Sequence, residues 1–312
     1  MDIIRDLSNF TKYENIVMTL GKFDGLHIGH QFIIKKVIER AYEIKGHSLV
    51  FTFESHPFSL LFPEKNPKQL ISLHEKIDKL KKLNIDILVL TEFTKHFSNL
   101  TPNEFFEKIL IEKINCKEIF IGENFSFGKD KTGNIDILKN LCQKYNVKLN
   151  IIKIFDLDNI KVNSTEIRKL ITNGKLNLVE KFLERPYSIL GKVIKGNGRG
   201  KKLGFPTTNL KIHNVVIPPR GVYLCYITYK ENYFQGLVNI GFRPTFFENN
   251  NFHIEVFIFD FDKDIYHEHL KVSFIKKLRD EIKFSNSEEL IIQIKKDVEQ
   301  SKYEFLQIEN KK

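Results

Sequence analysis

Gly21-Lys22-Phe23-Asp24-Gly25-Leu26-His27-Ile28-Gly29-His30 separates an apolar run, Ile16 to Leu20, from a stretch in which Ile34, Val37, Ile38 and Ala41 recur at helical spacing. A buried strand that turns through glycines into an amphipathic helix is the opening unit of an α/β sheet, which binds its ligands at the carboxyl ends of its strands. The rhythm continues outward in apolar runs at Leu49 to Phe53, Ile85 to Leu90, Glu118 to Ile121 and Val147 to Phe155. Between them Ile77, Leu80 and Leu83, and then Phe105, Phe106 and Ile109, fall at helical spacing. Alternating strands and helices of this kind predict an α/β domain with a parallel sheet over the first half of the chain.

Further on, Ser164 or Thr165 is expected to cap a helix running to about Phe182, and Arg185-Pro186 breaks the pattern. The texture then changes to strands set between Gly, Pro and Asn turns: Tyr187 to Lys195, Gly221 to Tyr229, Phe234 to Ile240 and His253 to Phe261. These predict a small antiparallel β-barrel. A last helix is expected over about Ser287 to Tyr303, introduced by Ser285 with Glu288 three residues on as a capping box. The expected domains are therefore residues 1–183 and 184–312.

The whole chain, 312 residues with 42% hydrophobic and 28% charged, has ordinary globular composition, which excludes disorder, collagen and coiled coil. No apolar run approaches the ~20 residues that cross a bilayer, and Met1 to Phe10 lacks a leader's apolar segment, so a cytoplasmic protein without a membrane partner is expected. Three widely spaced cysteines, Cys116, Cys142 and Cys225, suggest neither disulfides nor a metal site. The net charge of +10 divides evenly between the two halves, with no basic tail or stripe, so no nucleic-acid partner is expected.

The chemistry starts in the opening stretch. Gly21, Gly25 and Gly29 let backbone approach a phosphate, the helix start offers free N–H groups, and His27 and His30 flank a tight glycine from which both can donate to phosphate oxygens. The alternative is a plain turn carrying two surface histidines. His-x-Gly-His at a first strand-to-helix turn resembles the nucleotidyltransferase superfamily, which includes class I aminoacyl-tRNA synthetases. A synthetase also needs a Lys-Met-Ser-Lys-Ser loop, and Lys283-Phe284-Ser285-Asn286-Ser287 lacks the second Lys. Phe51-Thr52-Phe53-Glu54-Ser55-His56-Pro57, Glu75-Lys76, Ile121-Gly122-Glu123-Asn124-Phe125-Ser126-Phe127-Gly128 and Ser164-Thr165-Glu166-Ile167-Arg168 follow in order. Together they resemble the FMN adenylyltransferase module of prokaryotic FAD synthetases, with Ser55 and Asn124 departing from the family pattern. A Rossmann-like nucleotidyltransferase domain is what this resemblance implies, with Gly21, Phe23, Asp24, Gly25, Gly29, Ser164, Thr165 and Arg168 binding ATP and its phosphates. It further implies flavin contacts at His56 and Asn124; the alternative for His56 is a structural residue before the turn-forming Pro57.

A second constellation opens with Gly196, Gly198 and Gly200 at alternate positions, a phosphate-tolerant loop, and continues with Leu203-Gly204-Phe205-Pro206-Thr207-Thr208-Asn209. Thr207 and Asn209 offer hard oxygens two residues apart that suit Mg²⁺ beside a nucleotide; an ordinary Asx or Ser/Thr turn is the alternative. With Asn239-Ile240-Gly241-Phe242-Arg243-Pro244-Thr245, Glu255, Asp260-Phe261 and Leu278-Arg279-Asp280-Glu281, this region resembles bacterial riboflavin kinases. His267 stands where that family usually has Gly. Glu255 lies in an apolar strand, where alternation favours a solvent-facing position, whereas the resemblance implies a catalytic base. Arg279 is implied as a flavin contact.

Over nearly its whole length the sequence resembles the bifunctional riboflavin kinase/FMN adenylyltransferase family. The resemblance implies two ATP- and Mg²⁺-dependent steps, riboflavin to FMN in the C-terminal barrel and FMN to FAD with release of pyrophosphate in the N-terminal domain. The substrates implied are riboflavin, FMN and ATP, and an oligomer is compatible with it. Two rivals are a nucleotidyltransferase for another small substrate, against which the Pro-Thr-Thr-Asn domain argues, and a basic nucleic-acid binder, whose affinity would fall steeply with salt.

Overall fold

The computed structural model describes residues 1–10, 13–54, 67–153, 156–196, 200, 203–242 and 252–310. The chain forms two compact units, Met1–Glu166 and Ile167–Lys312.

In the first unit β1 (Asp2–Ile4), β2 (Ile16–Leu20), β3 (His47–Phe53), β4 (Ile87–Thr91), β5 (Cys116–Gly122) and β6 (Lys148–Ile152) form one parallel sheet in the order β1-β4-β3-β2-β5-β6. The winding reverses between β2 and β5, and a crevice opens beyond their carboxyl ends. Every residue of β2 and β4 is buried, as expected for parallel strands covered on both faces. Ile16, Met18 and Leu20 pack with Leu49, Phe51, Ile87 and Val89 on one face, and Val17 packs with Val37 and Ala41 of helix α1 (Ile28–Glu43) on the other. The alternation of β2 thus sets which core each residue enters. Helix α2 (Leu73–Lys82) starts in a capping box between Ser72 and Glu75, and helix α3 (Ile135–Lys144) is capped by Asn134. Two-residue strands β7 (Asp156–Leu157) and β8 (Ile160–Lys161) pair as a hairpin just before the next helix.

The single helix expected from Ser164 or Thr165 to about Phe182 is two: α4 (Ser164–Thr172) and α5 (Leu176–Leu183). Gly174 between them has φ of +71°, a left-handed conformation that ends the first helix. The cap is neither Ser164 nor Thr165 but Asn163, whose Oδ1 accepts the Glu166 N–H at 2.9 Å. The division between the compact units falls within α4.

In the second unit β9 (Ser188–Ile194), β10 (Thr207–Lys211), β11 (Gly221–Tyr229), β12 (Asn232–Phe242), β13 (Phe252–Ile258) and β14 (His269–Arg279) close an antiparallel barrel in the order β10-β13-β12-β11-β14-β9. β10 and β14 are strands that the sequence reading did not anticipate. β10 places Thr207 and Asn209 in an extended segment rather than a turn, and β14 sends Leu270, Val272 and Phe274 into the core. The last helix, α6 (Ser287–Glu309), is capped by Asn286 and not by Ser285: Asn286 Oδ1 accepts the Glu289 N–H at 2.8 Å. It also runs past Tyr303, packing Phe305, Val298 and Ile308 against Val222, Leu224 and Leu237 on the outer wall of the barrel.

Candidate active sites

The first site is the crevice at the ends of β2 and β5, a cleft of about 230 Å³. Gly21 extends the sheet by donating its N–H to Phe51 O at 3.1 Å. The chain then turns through Phe23, Gly25 and Leu26, all at positive φ, and delivers His27 as the N-cap of α1. His27 Nδ1 accepts the His30 N–H at 3.3 Å, and the two rings stack with centroids 3.6 Å apart. A Cβ on Gly29 would meet the His27 ring at 3.3 Å, so the glycine lets the rings close over it. Phe23 packs edge-on against His30. Burial first, then the charges of His27 and Lys76, hold His30 well below the ordinary histidine pKa, so near neutrality it is an uncharged N–H donor. Its Nδ1 is buried and has no hydrogen-bond partner among the described residues.

Gly21, Phe23, His27, Gly29, His30, Asn124 and Ser164 all line this cleft. Asp24 and Gly25 are buried beneath it, where Asp24 Oδ1 accepts the Leu70 N–H at 2.9 Å and its carbonyl accepts the Ser164 hydroxyl at 2.9 Å. Asp24 therefore ties the loop to the rest of the fold rather than presenting its carboxylate to an anion. Thr165 is exposed on the first turn of α4, and Arg168 follows one turn later, past the division between the units. His56, and Ser55 before it, lie outside the described residues.

Lys76 is a residue to which the sequence reading gave no role. From α2 its Nζ donates to Phe53 O at 2.9 Å, Thr52 Oγ1 at 3.3 Å and Lys22 O at 3.4 Å. It thereby joins the end of β3 to the loop that carries the histidines. Burial lowers its pKa to about 8, partly offset by Asp24. Its neighbour Glu75 is spent on the α2 cap.

The second site lies on the outer wall of the barrel, not in its core. On β13, Ile254, Val256 and Ile258 point inward and are buried, so His253, Glu255 and Phe257 point outward. Alternation correctly places Glu255 on the outer face, yet that face is not open solvent. Ile282, Phe284, Leu290, Ile294 and Asp297 rise beside it and form a cleft of about 380 Å³ with Thr207, Asn209, Asn239, His253 and Glu255. That volume is within the ~300–1,000 Å³ of small-molecule sites. Sheet register sets Asn209 and Asn239 on either side of Glu255.

The glycine loop lies directly on this wall. A Cβ on Gly196 would fall 1.8 Å from Asn209 Nδ2, and one on Gly200 would fall 2.8 Å from Thr207 Oγ1, so only glycine allows this approach. Gly198 lies outside the described residues. Asn209 Oδ1 and Thr208 Oγ1 are buried with no hydrogen-bond partner among those residues, and Thr207 faces the cleft with Asn209. An unpartnered amide oxygen beside a hydroxyl, facing a small-molecule cleft, fits a hard divalent cation.

Arg279 reaches the cleft, but its guanidinium is committed. Nε and Nη2 make a bidentate pair with the buried Asp297 carboxylate at 2.7 to 3.1 Å, and Nη1 donates to Asp280 O. The pair locks α6 to β14 at the rim. His253, which the sequence reading passed over, bonds Glu255 through Nε2 at 2.7 Å from Oε1. Two polar residues at i and i+2 within an apolar strand were the signal available for it. His267 has φ of +69°, the conformation natural to glycine.

The three thiols are buried, and burial pushes Cys116 up to about 12, Cys142 up to about 11 and Cys225 well above its ordinary pKa. None lines either cleft.

Comparison with known proteins gives a FAD synthetase family match over residues 10–166 and a riboflavin kinase match over residues 183–305. Relatives over the full length include bifunctional riboflavin kinase/FMN adenylyltransferases of Buchnera aphidicola subsp. Schizaphis graminum, 37% identical over 96% of this chain and 97% of theirs, and of Haemophilus influenzae, 35% identical over 98% and 99%. A solved structure described as a macrolide-efflux protein from Streptococcus pneumoniae superimposes with a TM-score of 0.85 at 30% identity, covering 96% of this chain and 98% of that one. Among the described residues no helix is long and apolar enough to cross a membrane.

Proposed function

The chain belongs to the bifunctional riboflavin kinase/FMN adenylyltransferase family, and from that membership we propose how its two clefts divide the chemistry. The enzyme converts riboflavin and ATP to FMN and ADP, and FMN and ATP to FAD and pyrophosphate. The outer-wall cleft of the barrel carries the first reaction and the crevice beyond β2 and β5 the second. The observation that carries this assignment is Glu255, a half-buried carboxylate walled into a cleft beside Thr207 and Asn209.

In the kinase reaction the terminal hydroxyl of the ribityl chain attacks the γ-phosphorus, the bond to ADP breaks, and Glu255 takes the hydroxyl proton. Thr207 and Asn209 are the oxygens that would hold Mg²⁺, which supplies neutralisation of phosphate charge. Gly196 and Gly200 bring backbone against those two side chains, leaving room for a triphosphate. In the transferase reaction an FMN phosphate oxygen attacks the α-phosphorus and pyrophosphate leaves; no protein nucleophile is needed. His27 and His30 stabilise that leaving group as preorganised donors, with the backbone of Gly21, Phe23, Gly25 and Gly29 shaping the floor. Ser164, with Thr165 beside it, adds to the polyphosphate contacts, and Asn124 on the wall of the same cleft meets the flavin. The kinase machinery falls within residues 184–312 and the transferase within 1–183.

The test is to incubate the protein with riboflavin, ATP and Mg²⁺ and separate the flavins. Glu255→Gln should lose FMN formation by ~100-fold or more while still converting supplied FMN to FAD. His27→Ala combined with His30→Ala should do the reverse, with FAD formation down ~100-fold or more. Wild-type FMN formation in Glu255→Gln would return Glu255 to a merely structural place on the barrel wall.

A further inference from the structure

We infer that His253 is a positioning residue for phosphoryl transfer, fixing the Glu255 carboxylate through a hydrogen bond from its Nε2. The inference rests on the reading of Glu255 as the base. An ionised carboxylate only accepts, so at 2.7 Å the proton of the His253–Glu255 bond belongs to Nε2. That fixes the tautomer: while the imidazole is neutral, Nδ1 is left without a proton.

The two side chains are held together by the strand itself. They stand two residues apart on the outward face of β13, and the backbone of that strand is paired on both sides, to β10 and β12. Both side chains line the cleft and are largely shielded, at 20% and 33% exposure, so the bond is formed at the edge of the site rather than in open solvent. Among the described residues, the other cation lining the cleft is Arg279, and Asp297 holds it in a bidentate pair. His253 is thus a donor in direct contact with Glu255 at the edge of the cleft.

A glutamate side chain has three rotatable bonds, and most of their combinations turn both oxygens away from the substrate hydroxyl. Holding Oε1 narrows that freedom and helps to orient the carboxylate before substrate arrives. The histidine touches no reacting atom; it acts through Glu255. Its loss should therefore slow the chemical step and leave substrate binding nearly unchanged.

The experiment measures FMN formation in the full-length enzyme for His253→Ala, His253→Gln, Glu255→Gln and the double variant His253→Ala/Glu255→Gln, with FAD formation from supplied FMN as the control for folding. His253→Ala should lower kcat by roughly 10- to 100-fold with KM for riboflavin changed less than about threefold. His253→Gln, which keeps a donor near the position of Nε2, should recover to within about threefold of wild type. The double variant should be no slower than Glu255→Gln alone, because a residue acting through Glu255 has nothing left to act on. If Glu255→Gln is inactive but His253→Ala keeps its kcat, or if the two losses add in the double variant, the positioning role is wrong and the base stands. If Glu255→Gln retains wild-type kcat, the base assignment itself falls.

Discussion

Lys76 shows how one side chain can link the sheet to the site. Its ammonium draws together Lys22, Thr52 and Phe53, and the cost of its burial appears in a pKa of about 8 against an ordinary 10.5. Between those values the unfolded chain keeps a proton that the folded chain has released, so this group makes stability rise with pH across that window. Below about pH 8 both states hold the proton and the burial cost is fully present. Urea midpoints from pH 7.5 to 10 should therefore show wild type gaining on Lys76→Met, by less than about 1.4 kcal/mol per pH unit; parallel curves would mean that the ammonium is not desolvated. His267 offers a second residue-level test. Its left-handed φ of +69° is strained for a side chain, and its N–H is already engaged with Val193 O at 3.0 Å. His267→Gly should leave both activities intact and raise stability by up to ~1 kcal/mol, as read from the thermal midpoint.

Among the elements, the glycine loop and β10 work as one. Gly196 presses on Asn209 so closely that Gly196→Ala must displace the Asn209 side chain, whose amide nitrogen is the atom met first. Such a displacement is confined to one side chain and moves an oxygen proposed above to hold Mg²⁺. The variant should melt within about 1 kcal/mol of wild type, lose FMN formation by ~100-fold and keep FAD formation from FMN. Equal loss of both activities would indicate global damage instead. Strand β10 also shows where sequence reading stopped: Phe-Pro-Thr-Thr-Asn carries turn residues, and only pairing with β9 and β13 makes it extended. The caps of α4 and α6 were each misplaced by a residue or two for a related reason. Several residues with capping side chains stand in a row at Asn163-Ser164-Thr165 and Ser285-Asn286-Ser287, and the sequence does not rank them.

At the scale of the molecule, the kinase motifs lie after residue 183, whereas the compact unit begins at Ile167. Helix α5 contributes Val179, Phe182 and Leu183, all buried, and packs against β14. A fragment of residues 167–312 should form FMN. One of residues 184–312 should be less stable by several kcal/mol, at ~1.5–3 kcal/mol for each large side chain uncovered, and should lose activity at lower temperature. Equal melting temperatures for the two fragments would show that α5 is dispensable to the barrel. The sequence by itself determined the α/β unit, the barrel, the His27–His30 pair and the family, because periodicity, glycine turns and short motifs are local properties of the chain. It placed Glu255 on the outward face of β13 but could not say what covers that face. Only the tertiary structure decided that α6 and the segment before it wall Glu255 into a cleft and that Arg279 is held by Asp297. Each of these depends on groups distant in sequence, or on which face of a strand a neighbour covers, and no local pattern encodes that.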